Sequence, residues 1–200
     1  MAAAARLPCA APSPAAEIGM SVSITPEDVV GFWREAGAEK WFARDAGFDE
    51  LFRERFLAAH MAAARRELDH WMDSAEGALA LMVLLDQFPR NAFRGTAHMF
   101  ATDALALAFA QQALDAGFDR ETPEALRLFL YLPFEHSEVL ADQRRAVELC
   151  EPLGAPFDEY ARIHLEVIER FGRFPHRNAA FGRNTTAQEQ AFLDGGGFSG

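Results

Sequence analysis

The chain has 200 residues, half of them hydrophobic, with 18 phenylalanines and a formal net charge of −11. That suffices for one domain with a sizeable core, and the acidic mean field argues against a general binder of nucleic acid or of anionic membrane. No apolar run reaches the length of a membrane span, and the two cysteines, Cys9 and Cys150, do not suggest a structural disulfide, so a reducing, cytoplasmic setting is expected.

Residues 1–24 read as a disordered Ala/Pro-rich leader. Pro8, Pro12 and Pro14 interrupt what would have to be a signal-peptide core, and Met20 offers a second start. Residues 25–194 read as a single all-α domain. Thr25-Pro26-Glu27-Asp28 opens its first helix with a capping hydroxyl, Pro at the first position and acids in the first turn. Val29, Val30, Phe32 and Trp33 form that helix's apolar face, and Trp41-Phe42 makes a hydrophobic connector. A long helix is expected from about Phe48 to Leu68, with Phe48, Leu51, Phe52, Phe56, Ala59 and Ala63 recurring at helical spacing.

Ser74 caps the central stretch, Gly77 to Thr96. Its first half is apolar on nearly every side and must be buried all round. It then turns abruptly to Asp86, Gln87, Pro89, Arg90, Asn91 and Arg94, with Pro89 expected to end the helix. Guanidinium groups so close to a core demand carboxylates or a bound anion.

Further helices are expected between Thr96 and Gly117, with Thr102-Asp103 a candidate cap, and from Thr122-Pro123 to a stop at Pro133. Two more run from Ser137-Glu138 to about Cys150 and from Phe157 to Phe171, the latter with Tyr160, Ile163, His164, Val167, Ile168 and Phe171 inward. Thr186 to Glu189 is a capping box for a short last helix, and the Gly-rich end, 195–200, is expected to be a flexible tail. Seven to nine helices joined by short loops give an all-α fold of stacked antiparallel pairs.

Three proline segments carry the polar chemistry. Phe88-Pro89-Arg90-Asn91 is followed by Phe93-Arg94 and Thr96. Phe174-Pro175-His176-Arg177-Asn178 is followed by Phe181, Arg183 and Thr185. Between them, Pro133-Phe134-Glu135-His136-Ser137-Glu138 is acidic where the others are basic. The arginines can pair with Asp86, Asp103, Glu135 and Glu138, or converge on an anion that their planar forks hold bidentately. The candidate ligand-binding residues are therefore Arg90, Asn91, Arg94, Arg173, His176, Arg177, Asn178 and Arg183. His136 is the candidate acid/base, with Glu135 or Glu138 as its orienter. Ser137 reads as a cap, and His164 as a hydrogen-bonded core histidine. No His-Glu-x-x-His, Cys-x-x-Cys, nucleophile elbow or phosphate-cradling Gly loop occurs, so no metal or other cofactor is expected.

LLDQFPRNAFRGT (84–96), FLYLPFEHSE (129–138) and RFGRFPHRNAAFGRNTT (170–186), in that order, resemble the bacterial family catalogued as domain of unknown function 924. Phe32-Trp33, Trp41-Phe42, Phe48-Asp49 and Trp71 fit its pattern too. The resemblance covers about residues 26–193. It implies an all-α fold similar to tetratricopeptide-like superhelices, and no activity or site residues. The residues themselves favour a binding module for an anionic peptide or a small metabolite. The alternatives are a hydrolase or transferase on a small anionic substrate, and a pure scaffold.

Overall fold

The computed structural model describes residues 24–199. Eight principal helices follow in chain order: α1 (Pro26–Ala36), α2 (Ala46–Ala64), α3 (Ala75–Met82, prolonged through Val83–Gln87 to Phe88–Ala92), α4 (Asp103–Asp115), α5 (Glu124–Glu135), α6 (Leu140–Cys150), α7 (Phe157–Phe171) and α8 (Ala187–Asp194). No strand occurs among the described residues. The cysteine Cys9 and the leader reading lie outside the described residues, apart from its last residue, Ile24.

Most expected caps are present. Thr25 and Asp28 form a capping box on α1, Thr186 and Glu189 another on α8, and the Ser74 hydroxyl accepts the Gly77 N–H. Helix α2 stops at Ala64, four residues before the expected end. Arg66 takes a left-handed φ of 65°, and Glu67 N–H reaches the Ala62 carbonyl at 3.0 Å. This is the Schellman closure, with arginine where glycine is usual. The Arg66 guanidinium then holds Asp69 at 2.7 Å.

Helix α3 is the axis of the molecule. Every residue from Gly77 to Pro89 is buried, and α1, α2, α4 and α5 all pack on it. Pro89 does not end it. The chain widens into a π-helical turn over Val83–Gln87 and then resumes as α-helix through Ala92. Proline lacks the N–H that would bond the carbonyl four residues back, Leu85. The Thr102 hydroxyl supplies that donor instead, and His60 Nδ1–H serves the Leu84 carbonyl at 2.9 Å. Thr102 is thus committed to Leu85 and does not cap α4 with its side chain. Pro133 likewise lies within α5 and not at its end, so the only true proline corner of the three is the 3₁₀ turn Pro175–Arg177.

The main core runs from Val29 to Ala161, and a satellite core forms around Val167, Ile168 and Phe174. On α7 the inward residues are Ala161, His164, Val167 and Ile168, while Tyr160 and Ile163 are exposed, as is Leu51 on α2. Four neighbouring helices converge on α3, unlike a solenoid in which each pair touches only its neighbours. The packing therefore supports an all-α fold without establishing a tetratricopeptide-like superhelix. The Phe198 ring sits 4.2 Å from the His164 ring and 6.1 Å from that of Phe174.

One close approach locks the start of α3. A Cβ on Gly77 would lie 2.0 Å from the Trp71 carbonyl oxygen. Gly77→Ala must move the backbone of the turn that seats Trp71, so it should cost about 1–3 kcal/mol or more, read as a lower urea midpoint.

Candidate functional site

The π turn aims Asp86 inward. Its carboxylate is fully buried. His136 Nδ1, at the end of α5, donates to Asp86 Oδ1 at 2.8 Å, Gln87 Nε2 donates to Oδ2 at 2.6 Å, and Arg90 Nη1 lies 3.2 Å from Oδ1. Arg90, one helical turn on, also grips Asp103 bidentately at 2.9 and 3.1 Å. Asp103 in turn receives Arg177 Nη1 at 3.3 Å, and the same nitrogen donates to the His136 carbonyl at 3.0 Å. Three elements far apart in sequence are thereby tied into one chain of charges. The Arg177 guanidinium is sandwiched, with Phe174 at 4.5 Å and Phe100 at 4.7 Å.

This network forms one wall of a cavity of about 270 Å³. Glu135, His136, His164, His176, Arg90 and Arg177 line its polar side, with Trp41, Phe42, Met99, Phe100, Leu132 and Phe198 on the apolar side. Arg44 stands exposed at it and makes no ion pair among the described residues.

The protonation states follow from burial and neighbours. Burial by itself pushes the Asp86 carboxyl up, but Arg90 and His136 outweigh it and hold it at about 2. Glu135 goes the other way: burial and the adjacent Asp86 charge raise it to about 8 against Arg90 alone. Burial lowers all three cavity histidines, His164 to about 3 and His176 to about 4, so their imidazoles are neutral near pH 7. In neutral His136 the proton faces Asp86 from Nδ1, which leaves the Nε2 lone pair free. His164 Nδ1 likewise donates to the Tyr160 carbonyl at 2.8 Å and lies 3.1 Å from Glu135 Oε1.

The candidate residues divide. Arg90, Asn91, Arg94, Glu135, His136, His176 and Arg177 share this cavity, although Arg94 and Asn91 are both bound to Asp49. Arg173, Asn178, Arg183 and Glu138 do not line it. Arg173 and Asn178 anchor Glu189 of α8, and Arg183 holds Glu138 while Glu138 accepts the Phe174 N–H. Those four tie down the segment that carries His176 and Arg177. The His136 ring is hydrogen-bonded to Asp86 and, among the described residues, to neither Glu135 nor Glu138. Ser137 Oγ accepts the Val139 N–H and donates to Asp142, a helix-start role.

Sequence reasoning did not select Asp86, Asp103 or His164 as site residues. His164 has the core hydrogen bond expected of it, yet also faces the cavity. The available signal was its spacing on α7, which places it on the same face as Ala161 and Ile168. Among the described residues no three His, Cys, Asp or Glu side chains are placed to hold a metal ion.

Residues 29–197 match a family model described as bacterial protein of unknown function, DUF924. The chain belongs to DUF924. A solved structure is similar to it, that of the protein of unknown function ATU0120 from Agrobacterium tumefaciens: 55% identity, a TM-score of 0.84, and coverage of 85% of this chain and 97% of that one. No curated protein matches. No helix of this DUF924 chain is long and apolar enough to cross a membrane among the described residues.

The raised carboxyl of Glu135 gives this DUF924 fold a pH signature. Its ordinary value of 4.5 becomes about 8 on folding, so the folded state holds the proton more tightly. Its contribution to stability is complete below pH 4.5 and is lost as pH rises through about 8. His164 acts oppositely: its contribution is present above 6.5 and is lost as pH falls toward about 3. Glu135→Gln should therefore remove a fall in stability between pH 4.5 and 8, read as urea midpoints that decline less steeply than in the parent.

Proposed function

We propose that this chain binds a small anionic metabolite in the cavity between α3, α5, α7 and the Pro175–Arg177 turn. The observation that carries this reading is the state of Arg177. It is buried, its Nε has no hydrogen-bond partner, and it shares Asp103 with Arg90 at the longer distance of 3.3 Å. Burial, and after it Arg90, pushes its pKa down to about 10. A buried guanidinium so incompletely paired is costly unless an anion completes its coordination. A cavity near 270 Å³ suits a small molecule, not a stretch of peptide. Its apolar wall suits a ligand with a hydrocarbon or aromatic body and one charged end.

The hydrolase or transferase reading draws on a different observation, the Asp86–His136 pair with its free Nε2. The scaffold reading draws on the internal pairing of Arg94, Arg173 and Arg183.

Thermal-shift screening of small carboxylates and phosphates tests the binding reading. A binding anion at 100 times its Kd should stabilise the parent by about 2.7 kcal/mol. Arg177→Met should abolish that response at a stability cost smaller than that of breaking a fully paired buried ion, because Asp103 keeps both of its bonds from Arg90. A parent that responds to no anion, together with an Arg177→Met loss of about 3–5 kcal/mol, would favour the scaffold reading.

A further inference from the structure

We infer that Asp86 and His136 form a general-base dyad that activates a water molecule against an acyl ester held in this cavity. The inference rests on the binding reading for the place of the substrate, and adds a reaction to it.

Three features of the geometry carry it. First, the pair is built, not incidental. Asp86 is fixed on the π turn by Gln87 and Arg90, and its one remaining short contact orients the imidazole by way of Nδ1. The tautomer that results has its basic nitrogen, Nε2, with no protein partner among the described residues, on a side chain that lines the cavity. Second, the lining holds no buried hydroxyl or thiol that could serve as a nucleophile. Its only hydroxyl is that of exposed Ser199, and it contains no cysteine, threonine or tyrosine. Cys150 lies elsewhere, and burial raises its thiol to about 12. Water is then the attacking group.

Third, the charges suit acyl rather than phosphoryl chemistry. Arg90, Arg177 and Arg44 outnumber the ionised Asp86 and Asp103 by one charge, and Arg177 is the buried guanidinium with hydrogen-bonding capacity left. Such a wall has room for one oxyanion beside Arg177, not for the multiple charges of a transferring phosphoryl group.

The step balances. His136 Nε2 takes a proton from water as the water oxygen bonds to the acyl carbon, and the carbonyl electron pair moves to an oxyanion beside Arg177. The oxyanion collapses, the bond to the leaving oxygen breaks, and that oxygen takes the proton back from His136. The products are a carboxylic acid and an alcohol. His136 is the catalytic residue and Asp86 a positioning residue.

Hydrolysis of 4-nitrophenyl acetate by the full chain tests this without needing any bound anion, so it fails separately from the binding reading. His136→Gln should lower the protein-dependent rate roughly tenfold or more. The groups facing His136 are Asp86 and Arg90 from α3, Asp103 from α4, Glu135 beside it, His164 from α7, and His176 and Arg177 from the Pro175–Arg177 turn. Of these, Asp86 is the nearest that raises the imidazole's basicity. Asp86→Asn should therefore both slow the reaction and move the midpoint of its pH–rate profile downward, which a purely structural role would not do. Equal rates for the parent and His136→Gln would overturn the dyad. Should the variants fail to fold, the nitrogen spectrum of the parent decides: a proton on Nδ1 and a bare Nε2 support the dyad, and the reverse tautomer overturns it.

Discussion

A carboxylate with no exposed surface organises this molecule. Asp86 sits in the middle of its most buried helix, where an unpaired charge would be costly by several kcal/mol (order of magnitude). The helix accommodates it by widening. The π turn at Val83–Gln87 lets Asp86, Gln87 and Arg90 reach one another, and Pro89 leaves a carbonyl that Thr102 must serve. That requirement brings α4 against α3. The Arg90 that balances Asp86 then needs Asp103, and Asp103 has capacity left for Arg177. Packing and site are thus one construction: the ion network that holds three segments together is also the cavity wall.

The electrostatics of that wall are uneven in an informative way. Two adjacent carboxyls are driven apart, Asp86 to about 2 and Glu135 to about 8, because Arg90 and His136 serve the first while burial and the first carboxylate act on the second. Titratable groups whose environments separate them in this manner are a common property of acid–base sites. The neighbouring imidazoles are kept neutral by burial, so each carries one N–H donor and one nitrogen lone pair rather than a positive charge. The cavity therefore combines guanidinium donors, neutral imidazoles and an uncharged carboxylic acid within one small volume.

Much of the architecture was legible in the sequence. Thr25, Ser74 and Thr186 announced helix starts through short-range capping, which depends on three or four residues only. The all-round apolar run from Leu79 to Leu85 announced the central helix. What was not legible depended on partners distant in the chain. Pro89 and Pro133 looked like stops because local rules make them so, and only Thr102 and the surrounding core let helix continue at Pro89. Exposed Tyr160 and Ile163 show the same limit: on α7 the apolar stripe is wider than the face that finds a partner. Within the site, the Arg–His–Arg gathering could be anticipated from the repeated Phe-Pro motif. The choice of Asp86 over Glu135 as the partner of His136 could not, since it is decided by a π turn 50 residues upstream.

The most direct test is a carbon-detected titration of Glu135, which lines the cavity, and of Asp86, buried behind it, in the folded chain. The account predicts that Asp86 remains ionised down to about pH 2 while Glu135 keeps its proton up to about pH 8. Two carboxyls titrating together near their ordinary values, or Glu135 ionising before Asp86, would contradict it.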